Sequence, residues 1–225
     1  HIKNVLRMKP GEKIRVCTRN GQNYFCSISD ITESFVRADI LEREAESTEL
    51  PCRIYLFQGL PKNDKMEWII QKTVELGVYE VIPVAMKNCV VKLDDKKAKS
   101  KVTRWQAIAE SAAKQSKRSL IPEVKMPMSY KEAVAYAKEL DVKLVPYENE
   151  HGMAGTKAAM EQIKKGESIA VFIGPEGGFA PEEIALVQDE MQLISLGKRI
   201  LRTETAGIAA LAILGYQLES SDMIE

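Results

Sequence analysis

The first fifty residues alternate between hydrophobic and polar positions with the period of two that β-strands show. Two β-rich runs flank the dipeptide Asn20-Gly21, whose residues tolerate positive φ, and this arrangement predicts a β-hairpin. The segment FVRADILE alternates in the same way and predicts a third strand. An acidic stretch then leads to Pro51, which we take as the boundary of a small β-barrel or meander.

After Arg53 the pattern changes to short apolar runs that alternate with segments of helical spacing. The apolar runs that predict strands are RIYLFQGL, YEVIPVAM, VKLVPYE, SIAVFIGPEGGF and LISLG. Helices are predicted over Lys65–Leu76, Lys96–Ser116, SYKEAVAYAKEL, Pro181–Gln188 and about Glu204–Leu218. Strands that alternate with helices are typical of a mostly parallel sheet covered on both faces. We therefore predict an α/β domain over residues 52–225 after a β domain over residues 1–51.

Composition narrows the class of protein. The 225 residues carry 32 Lys+Arg and 32 Asp+Glu, so the net charge says nothing for or against an anionic partner. No apolar run approaches the roughly 20 residues that span a bilayer, and we expect neither a membrane segment nor a signal peptide. The four cysteines lie far apart and there are only two histidines. This composition argues against a metal site and favours reduced thiols in the cytoplasm.

The sharpest motif is the glycine-rich segment Gly174–Phe179, which follows an apolar strand and precedes a helix that begins at Pro181. Ligands of open α/β sheets bind at the carboxyl ends of strands, and glycines let the backbone approach a ligand closely. Because neither GxGxxG nor GxxxxGK[ST] is present, a phosphate-cradling loop is disfavoured. A tight strand-to-helix turn without a ligand is the alternative that the glycines alone leave open.

The second motif, Leu196–Ala206, is a cationic loop rich in hydroxyl groups that leads into an almost entirely apolar helix. A helix that is apolar all round is buried all round. The polar loop before it therefore predicts a ligand site at the end of a strand. The structural alternative is that Arg202 pairs with Glu204 while Thr203 and Thr205 cap the helix.

A third feature is the basic stretch of residues 86–118, which contains ten Lys or Arg against three Asp or Glu, with Trp105 among them. Clustered cations with an aromatic residue are the usual footprint of a polyanion. A solvated helix face is the alternative. The further cations of the second motif favour RNA as the polyanion.

At this point the sequence resembles a known family. The segments KMEWIIQKTVELGV, VVKL, RWQAIAESAAKQSKR, IPEV, IGPEGGF and LGKRILRTETA occur in this order. Together they resemble the bacterial enzymes that methylate N3 of a uridine in small-subunit (16S) ribosomal RNA, a branch of the knotted SPOUT methyltransferases. The resemblance covers nearly the whole chain, because HIKNVLRMKPGEKIRV resembles that family's N-terminal PUA-like barrel. Since the chain begins at His1, we expect the first strand of the barrel to be missing.

The resemblance implies a trefoil knot in the α/β domain, a homodimer in the cytoplasm, and no membrane or metal partner. It also implies that S-adenosyl-L-methionine binds between the two loops. The expected cofactor contacts are Gly174, Glu176, Gly177, Gly178, Leu196, Gly197, Leu201, Arg202, Thr203 and Thr205. Arg202 is expected to stabilise the uracil anion, and Glu204 either to accept the proton or to orient an arginine. The expected contacts with ribosomal RNA are Lys87, Lys92, Arg104, Lys114, Lys117, Arg118 and Arg199.

Three positions depart from the family pattern. Ala180 stands where a Ser or Thr helix cap is expected, and Asn88 and Cys89 replace an Arg-Ser pair, although both could hydrogen-bond RNA. Two other functions are compatible with the motifs. One is a SPOUT methyltransferase that acts on a ribose 2′-hydroxyl or another base, and the other is a non-catalytic RNA-binding assembly factor.

Overall fold

The computed structural model describes residues 2–18, 22–44, 47–150 and 152–221. They divide into two compact units, of which unit 1 comprises His1–Glu49 with Lys117–Leu120 and unit 2 comprises Leu50–Ser116 with Ile121–Glu225. The predicted Asn20-Gly21 turn lies outside the described residues.

Unit 1 contains a three-stranded antiparallel sheet of β1 (Lys13–Cys17), β2 (Asn23–Ile31) and β3 (Val36–Glu44), in the order β1-β2-β3. The strands follow one another in sequence, so this sheet is the meander that the alternation predicts. Only Cys26 and Ile28 of its hydrophobic residues are buried, as expected for a small sheet with one covered face.

Unit 2 contains a seven-stranded sheet in the order β10-β8-β9-β4-β5-β6, with β7 beside β5, and every strand pair in it is parallel. Its elements in chain order are β4 (Arg53–Gly59), α1 (Lys65–Glu75), β5 (Glu80–Ala85), α2 (Asp95–Gln115), β6 (Glu123–Val124), β7 (Met128–Ser129), α3 (Tyr130–Ala137), β8 (Val142–Pro146), α4 (Ala154–Glu161), β9 (Ser168–Ile173), α5 (Pro181–Val187), β10 (Gln192–Ile194) and α6 (Thr203–Ser221).

Helices cover both faces of this sheet. On one face, Phe57 of β4 stacks on Phe172 of β9 at 4.3 Å between ring centroids and meets Tyr136 of α3 edge-on at 5.8 Å. On the other face, α6 packs so closely that a Cβ placed at Gly207 would lie 3.9 Å from Leu56 Cδ1. Because side chains alternate along a strand, continuous apolar strands require this double cover. The predicted fold class, a parallel α/β sheet beside a smaller β unit, is confirmed.

The pattern analysis did not predict α4, β6 and β7. Helix α4 follows Met153, whose side chain offers no cap, and it contains Gly155, so the usual start signals are missing. By contrast, the sequence predicts that α1 stops at Gly77, and the helix does end close to this residue, which has φ +92°. No helix within the described ranges is both long and apolar enough to cross a membrane.

Candidate functional site

The carboxyl ends of parallel strands lie at the same edge of a sheet, so the loops that follow β8, β9 and β10 meet there. In unit 2 they enclose a cavity of about 950 Å³. It is lined by residues 146–150, 152–153, 173–176, 178–179 and 195–203, together with Lys65 and Ala206. Both motifs singled out in the sequence therefore contribute walls to one cavity.

The glycine-rich loop is held from behind by the segment that follows β5. Asn88 Nδ2 donates to the carbonyls of Gly177 at 3.0 Å and Gly178 at 3.2 Å. Gly178 has φ +66°, a conformation that favours glycine. The Lys87 amide donates to Glu183 Oε1 at 2.8 Å. The exposed Asn88 carboxamide thus fixes the shape of the loop.

The other two departures from the family pattern also have structural answers. Ala180 offers no cap, but Glu183 Oε2 accepts the Ala180 amide at 2.8 Å, and Pro181 has no N–H to satisfy. Cys89 is buried, its Sγ accepts the Met86 amide at 3.4 Å, and burial raises the pKa of its thiol. The suggestion that Cys89 hydrogen-bonds RNA is therefore wrong.

A buried hydrogen-bond chain joins the two predicted loops. Thr203 Oγ1 donates to the Gly174 carbonyl at 2.6 Å and accepts from Gln58 Nε2 at 2.9 Å. The one proton of the Thr203 hydroxyl is therefore used inside the protein and is not offered to a ligand. Gln58, the last-but-one residue of β4, cannot be predicted as part of the site from local sequence, because its partner lies 145 positions away.

A second connection between the same loops is ionic. Lys65 Nζ lies 3.0 Å from Glu176 Oε1 and 3.2 Å from Glu204 Oε2. Burial raises the pKa of Glu176, but backbone hydrogen bonds, including one from the Lys62 amide, and the Lys65 ammonium outweigh it, so this pKa lies below its ordinary value. Glu204 is not among the cavity-lining residues. The structural alternative of an Arg202–Glu204 pair is wrong, because Glu204 pairs with Lys65.

Three cations lie on the loop between β10 and α6. Lys198, Arg199 and Arg202 line the cavity with exposed side chains, and none has a carboxylate partner in the part of the chain that is described. Gly197, with φ +112°, makes the turn that starts this loop. The cations are therefore available to a ligand or to RNA.

Most of the predicted cofactor residues line the cavity, and two do not. Gly174, Glu176, Gly178, Leu196, Gly197, Leu201, Arg202 and Thr203 line it, whereas Gly177 and Thr205 are absent from its walls. The third wall, which includes Glu148 and Glu150, follows β8 and was not predicted, because its sequence carries no recognisable motif. Among the described residues no group of His, Cys, Asp or Glu is placed to hold a metal ion.

The predicted RNA contacts fall into two groups. Lys87, Lys92, Arg104, Lys114 and Lys117 are exposed. Three of these cations already have carboxylate partners: Lys87 pairs with Glu182, Arg104 with Glu67 at 2.8 Å, and Lys114 with Glu110 at 2.5 Å. Exposed pairs of this kind are weak, so RNA phosphates can compete for these cations.

Arg118 is predicted to contact RNA, but its guanidinium is engaged within unit 1. Its side chain is only 4% exposed and its guanidinium pairs with Glu49, with Nε 3.1 Å from Oε2. The same carboxylate accepts the amides of Ser119 at 2.8 Å and Leu120 at 3.1 Å. The reason is that residues 117–120 leave α2 and belong to unit 1.

Replacing Arg118 by methionine should therefore lower the free energy of unfolding by about 2 to 3 kcal/mol, because it removes charge-assisted hydrogen bonds and leaves Glu49 without its cation. Urea denaturation measures this change. Lys114→Met, at an exposed position of α2, is the matched control and should stay within about 0.5 kcal/mol of wild type. If the Arg118 variant kept its stability but bound ribosomal RNA more weakly, the result would support a direct contact between Arg118 and RNA.

Comparison with known proteins agrees with this geometry. The family model described as an RNA methyltransferase domain matches residues 48–215, and the RNA methyltransferase PUA domain matches residues 1–41. Ribosomal RNA small subunit methyltransferase E of Bacillus subtilis is 40% identical over 223 residues, which is 97% of this chain and 87% of that protein. Its counterpart in Buchnera aphidicola of Schizaphis graminum is 34% identical over 99% of this chain and 88% of its own length.

Among solved structures, the ribosomal RNA small subunit methyltransferase E of Neisseria gonorrhoeae bound to S-adenosyl methionine matches with a TM-score of 0.82. It is 33% identical, and the match covers 96% of this chain and 87% of that one. The two matched family models place the chain among the RNA methyltransferases. Within that class, the chain belongs to the ribosomal RNA small subunit methyltransferase E family.

Proposed function

We propose that this protein transfers a methyl group from S-adenosyl-L-methionine to N3 of a uridine in small-subunit ribosomal RNA. The observation that carries the proposal is the cavity between the glycine-rich loop and the loop that precedes α6, with three cations at its edge that have no carboxylate partner among the described residues. Family membership supports the reaction class and the kind of RNA. The position on the base rests on the motifs that the chain shares with uridine-N3 enzymes.

The cavity suits the cofactor in size and chemistry. A volume of about 950 Å³ lies within the range of small-molecule sites, roughly 300 to 1,000 Å³. Ile173, Leu196 and Leu201 offer apolar surface for an adenine ring. Glu148 and Glu150 offer carboxylates to hydroxyl or ammonium groups. The cofactor would bring an already activated methyl group, so the protein must only bind, orient and polarise.

The chain's own chemical task is to make uridine N3 a better nucleophile. The uracil anion carries its charge on the oxygens that flank N3, and a nearby cation lowers the cost of forming it. Arg202 lines the cavity and has no carboxylate partner in the described ranges, so its guanidinium is available for this contact. We assign no proton transfer to Glu204, because it lies outside the cavity lining and pairs with Lys65.

Binding of ribosomal RNA is assigned to both domains. We take residues 1–51 as the β domain and residues 52–225 as the methyltransferase domain, which carries the basic stretch except for residues 117 and 118, which belong to unit 1. The cations Lys92, Lys117 and Arg199 are exposed and have no carboxylate partner among the described residues, so they are the first candidates for phosphate contacts. Because the substrate is ribosomal RNA, we place the enzyme in the cytoplasm.

Reverse transcription of isolated ribosomal RNA tests this function. In cells that lack the gene, one termination site in small-subunit RNA should disappear, because N3 methylation blocks base pairing. The wild-type gene should restore the site and an Arg202→Ala gene should not. Methylation of a ribose or of a pairing-neutral base position would leave termination unchanged while label from methyl-labelled cofactor still enters the RNA. An assembly factor would transfer no label at all.

We also propose a homodimer that uses the exposed side of α6. Tyr216 is 76% exposed, Ala212 and Thr205 are exposed one and three turns before it, and Ile200 is 84% exposed in the preceding loop. Monomeric proteins rarely leave such an apolar stripe in water, and an isologous dimer would cover it on both copies.

Tyr216→Glu should therefore convert the dimer to a monomer, because it places a charge in the proposed interface at its most exposed aromatic side chain. Light scattering coupled to size-exclusion chromatography measures the mass. Leu186→Glu, at an exposed apolar position of α5, is the control and should leave the mass unchanged. A wild-type mass of about 25.2 kDa at every concentration would refute the dimer.

A further inference from the structure

Lys65 is the first residue of α1 and lies between two walls of the cavity. Its ammonium is 3.0 Å from Glu176 in the glycine-rich loop and 3.2 Å from Glu204 in the first turn of α6. These two carboxylates are separated by 28 positions in the sequence. Glu176 lines the cavity, and Glu204 directly follows Thr203, which lines another wall. One cation therefore connects both sides of the site.

The position of Lys65 is unfavourable for the helix that carries it. The N-terminus of a helix has a partial positive charge, which disfavours a cation in the first turn. Helix stability therefore gives no reason for a lysine here, and the two carboxylates do. Hydrogen bonding to Glu176 raises the pKa of Lys65 above its ordinary value, so the ammonium keeps its charge.

The connection is partly sheltered from water. The side chains of Lys65, Glu176 and Glu204 are 27%, 25% and 19% exposed, whereas a typical exposed pair in this chain, such as Lys138–Glu190, is 55% exposed at both ends. Partial burial reduces solvent screening and strengthens ionic contacts. Without the ammonium, two neighbouring carboxylates would carry like charge in the same sheltered space.

We propose that Lys65 is a positioning residue that sets the spacing between the glycine-rich loop and α6, and with it the width of the cofactor cavity. This inference rests on the proposed function, because the cavity is taken to hold S-adenosylmethionine. Lys65 acts through Glu176 and Glu204 rather than by touching the cofactor. The hydrogen bonds among Gln58, Thr203 and Gly174 join the same walls, so losing Lys65 widens the cavity without opening it fully.

The test compares five variants of the full-length protein by calorimetric titration with S-adenosylmethionine. Lys65→Met should raise the Kd for S-adenosylmethionine about tenfold, which is the free energy of about one charge-assisted hydrogen bond. Glu204→Gln should also raise this Kd. The double variant should bind no more weakly than Lys65→Met alone, because both changes remove one connection. Lys65→Arg retains a cation for the two carboxylates and should restore most of the affinity. Lys138→Met, which removes an inter-element pair away from the cavity, should bind like wild type.

Two results would overturn the proposal. If Glu204→Gln binds like wild type while Lys65→Met does not, then Lys65 contacts the cofactor directly. Fully additive effects in the double variant would also exclude a shared connection. Failure of the proposed function is distinguishable, since wild type would then bind no cofactor. The coupling between Lys65 and Glu204 would still be measurable in the free energy of unfolding by urea.

Discussion

Replacing Arg202 by alanine should lower kcat for methyl transfer by roughly 100- to 1,000-fold, the usual cost of removing one preorganised group that stabilises developing negative charge. The expectation follows from the position of Arg202 at the cavity, exposed and without a carboxylate partner in the described chain. The Kd for S-adenosylmethionine should change little, because the walls of the cavity are held by Lys65 and Thr203 instead. Single-turnover methylation of small-subunit RNA, with calorimetry for the cofactor, measures both quantities.

Arg199→Ala is the matched control on the same loop. Its guanidinium is also exposed and without a carboxylate partner among described residues, but we assign it to RNA phosphate. It should therefore raise KM for RNA and make binding less dependent on salt, while kcat stays near wild type. Arg202→Lys should recover only part of the loss, because an ammonium lacks the planar fork that matches two flanking oxygens. Unaltered turnover in Arg202→Ala would remove Arg202 from the chemistry.

The sequence was sufficient to predict that two loops form one site. Each loop directly follows an apolar run, and the carboxyl ends of parallel strands lie at one edge of a sheet. Glycines at 174 and 197 and the cations after them are local features, so they can be read from the chain. The strands and helices themselves follow from periods of two and 3.6, and only the weakly marked α4 and the two-residue strands were missed.

The sequence was not sufficient to predict what holds the loops together. Lys65 and Gln58 act there because β4 lies beside β9, so the end of β4 and the start of α1 adjoin loops more than one hundred positions away. No local pattern specifies that strand order. For the same reason the cavity wall that contains Glu148 could not be predicted. The strand order β10-β8-β9 brings the loop after β8 between the loops that follow β9 and β10.

For a related reason, charge patterns in the sequence do not show which cations are accessible to RNA. Arg118 lies at the end of a run of cations, and counting cannot distinguish a residue that faces solvent from one that turns back into unit 1 to meet Glu49. Asn88 illustrates the opposite case. It interrupts the family pattern on what was expected to be the RNA side, yet its carboxamide supports the carbonyls of Gly177 and Gly178. Both outcomes depend on long-range contacts rather than on residue type.

Gly59→Ala should weaken S-adenosylmethionine binding by at least about tenfold and destabilise the protein by about 1 to 3 kcal/mol, the usual cost of overpacking. Gly59 ends β4 directly beneath the glycine-rich loop. A Cβ at this position would lie 2.7 Å from Pro175 N and 2.8 Å from Pro175 Cδ, closer than side-chain carbons approach other atoms. Because Pro175 N is backbone, the clash cannot be relieved by a rotamer change. Cofactor titration and thermal unfolding measure the two effects.

The displacement should reach the cavity because Pro175 is held on both sides. Its carbonyl accepts the Gly178 amide at 2.9 Å, and the carbonyl of Gly174 before it is held by Thr203. Moving Pro175 must therefore move the loop as a unit. Gly155→Ala is the control: a Cβ there would meet nothing within 4 Å, and alanine in a helix should stabilise by about 0.5 to 1 kcal/mol. Wild-type affinity in Gly59→Ala would mean that the loop yields without changing the cavity, and the close approach at Gly59 would then have no part in shaping the site.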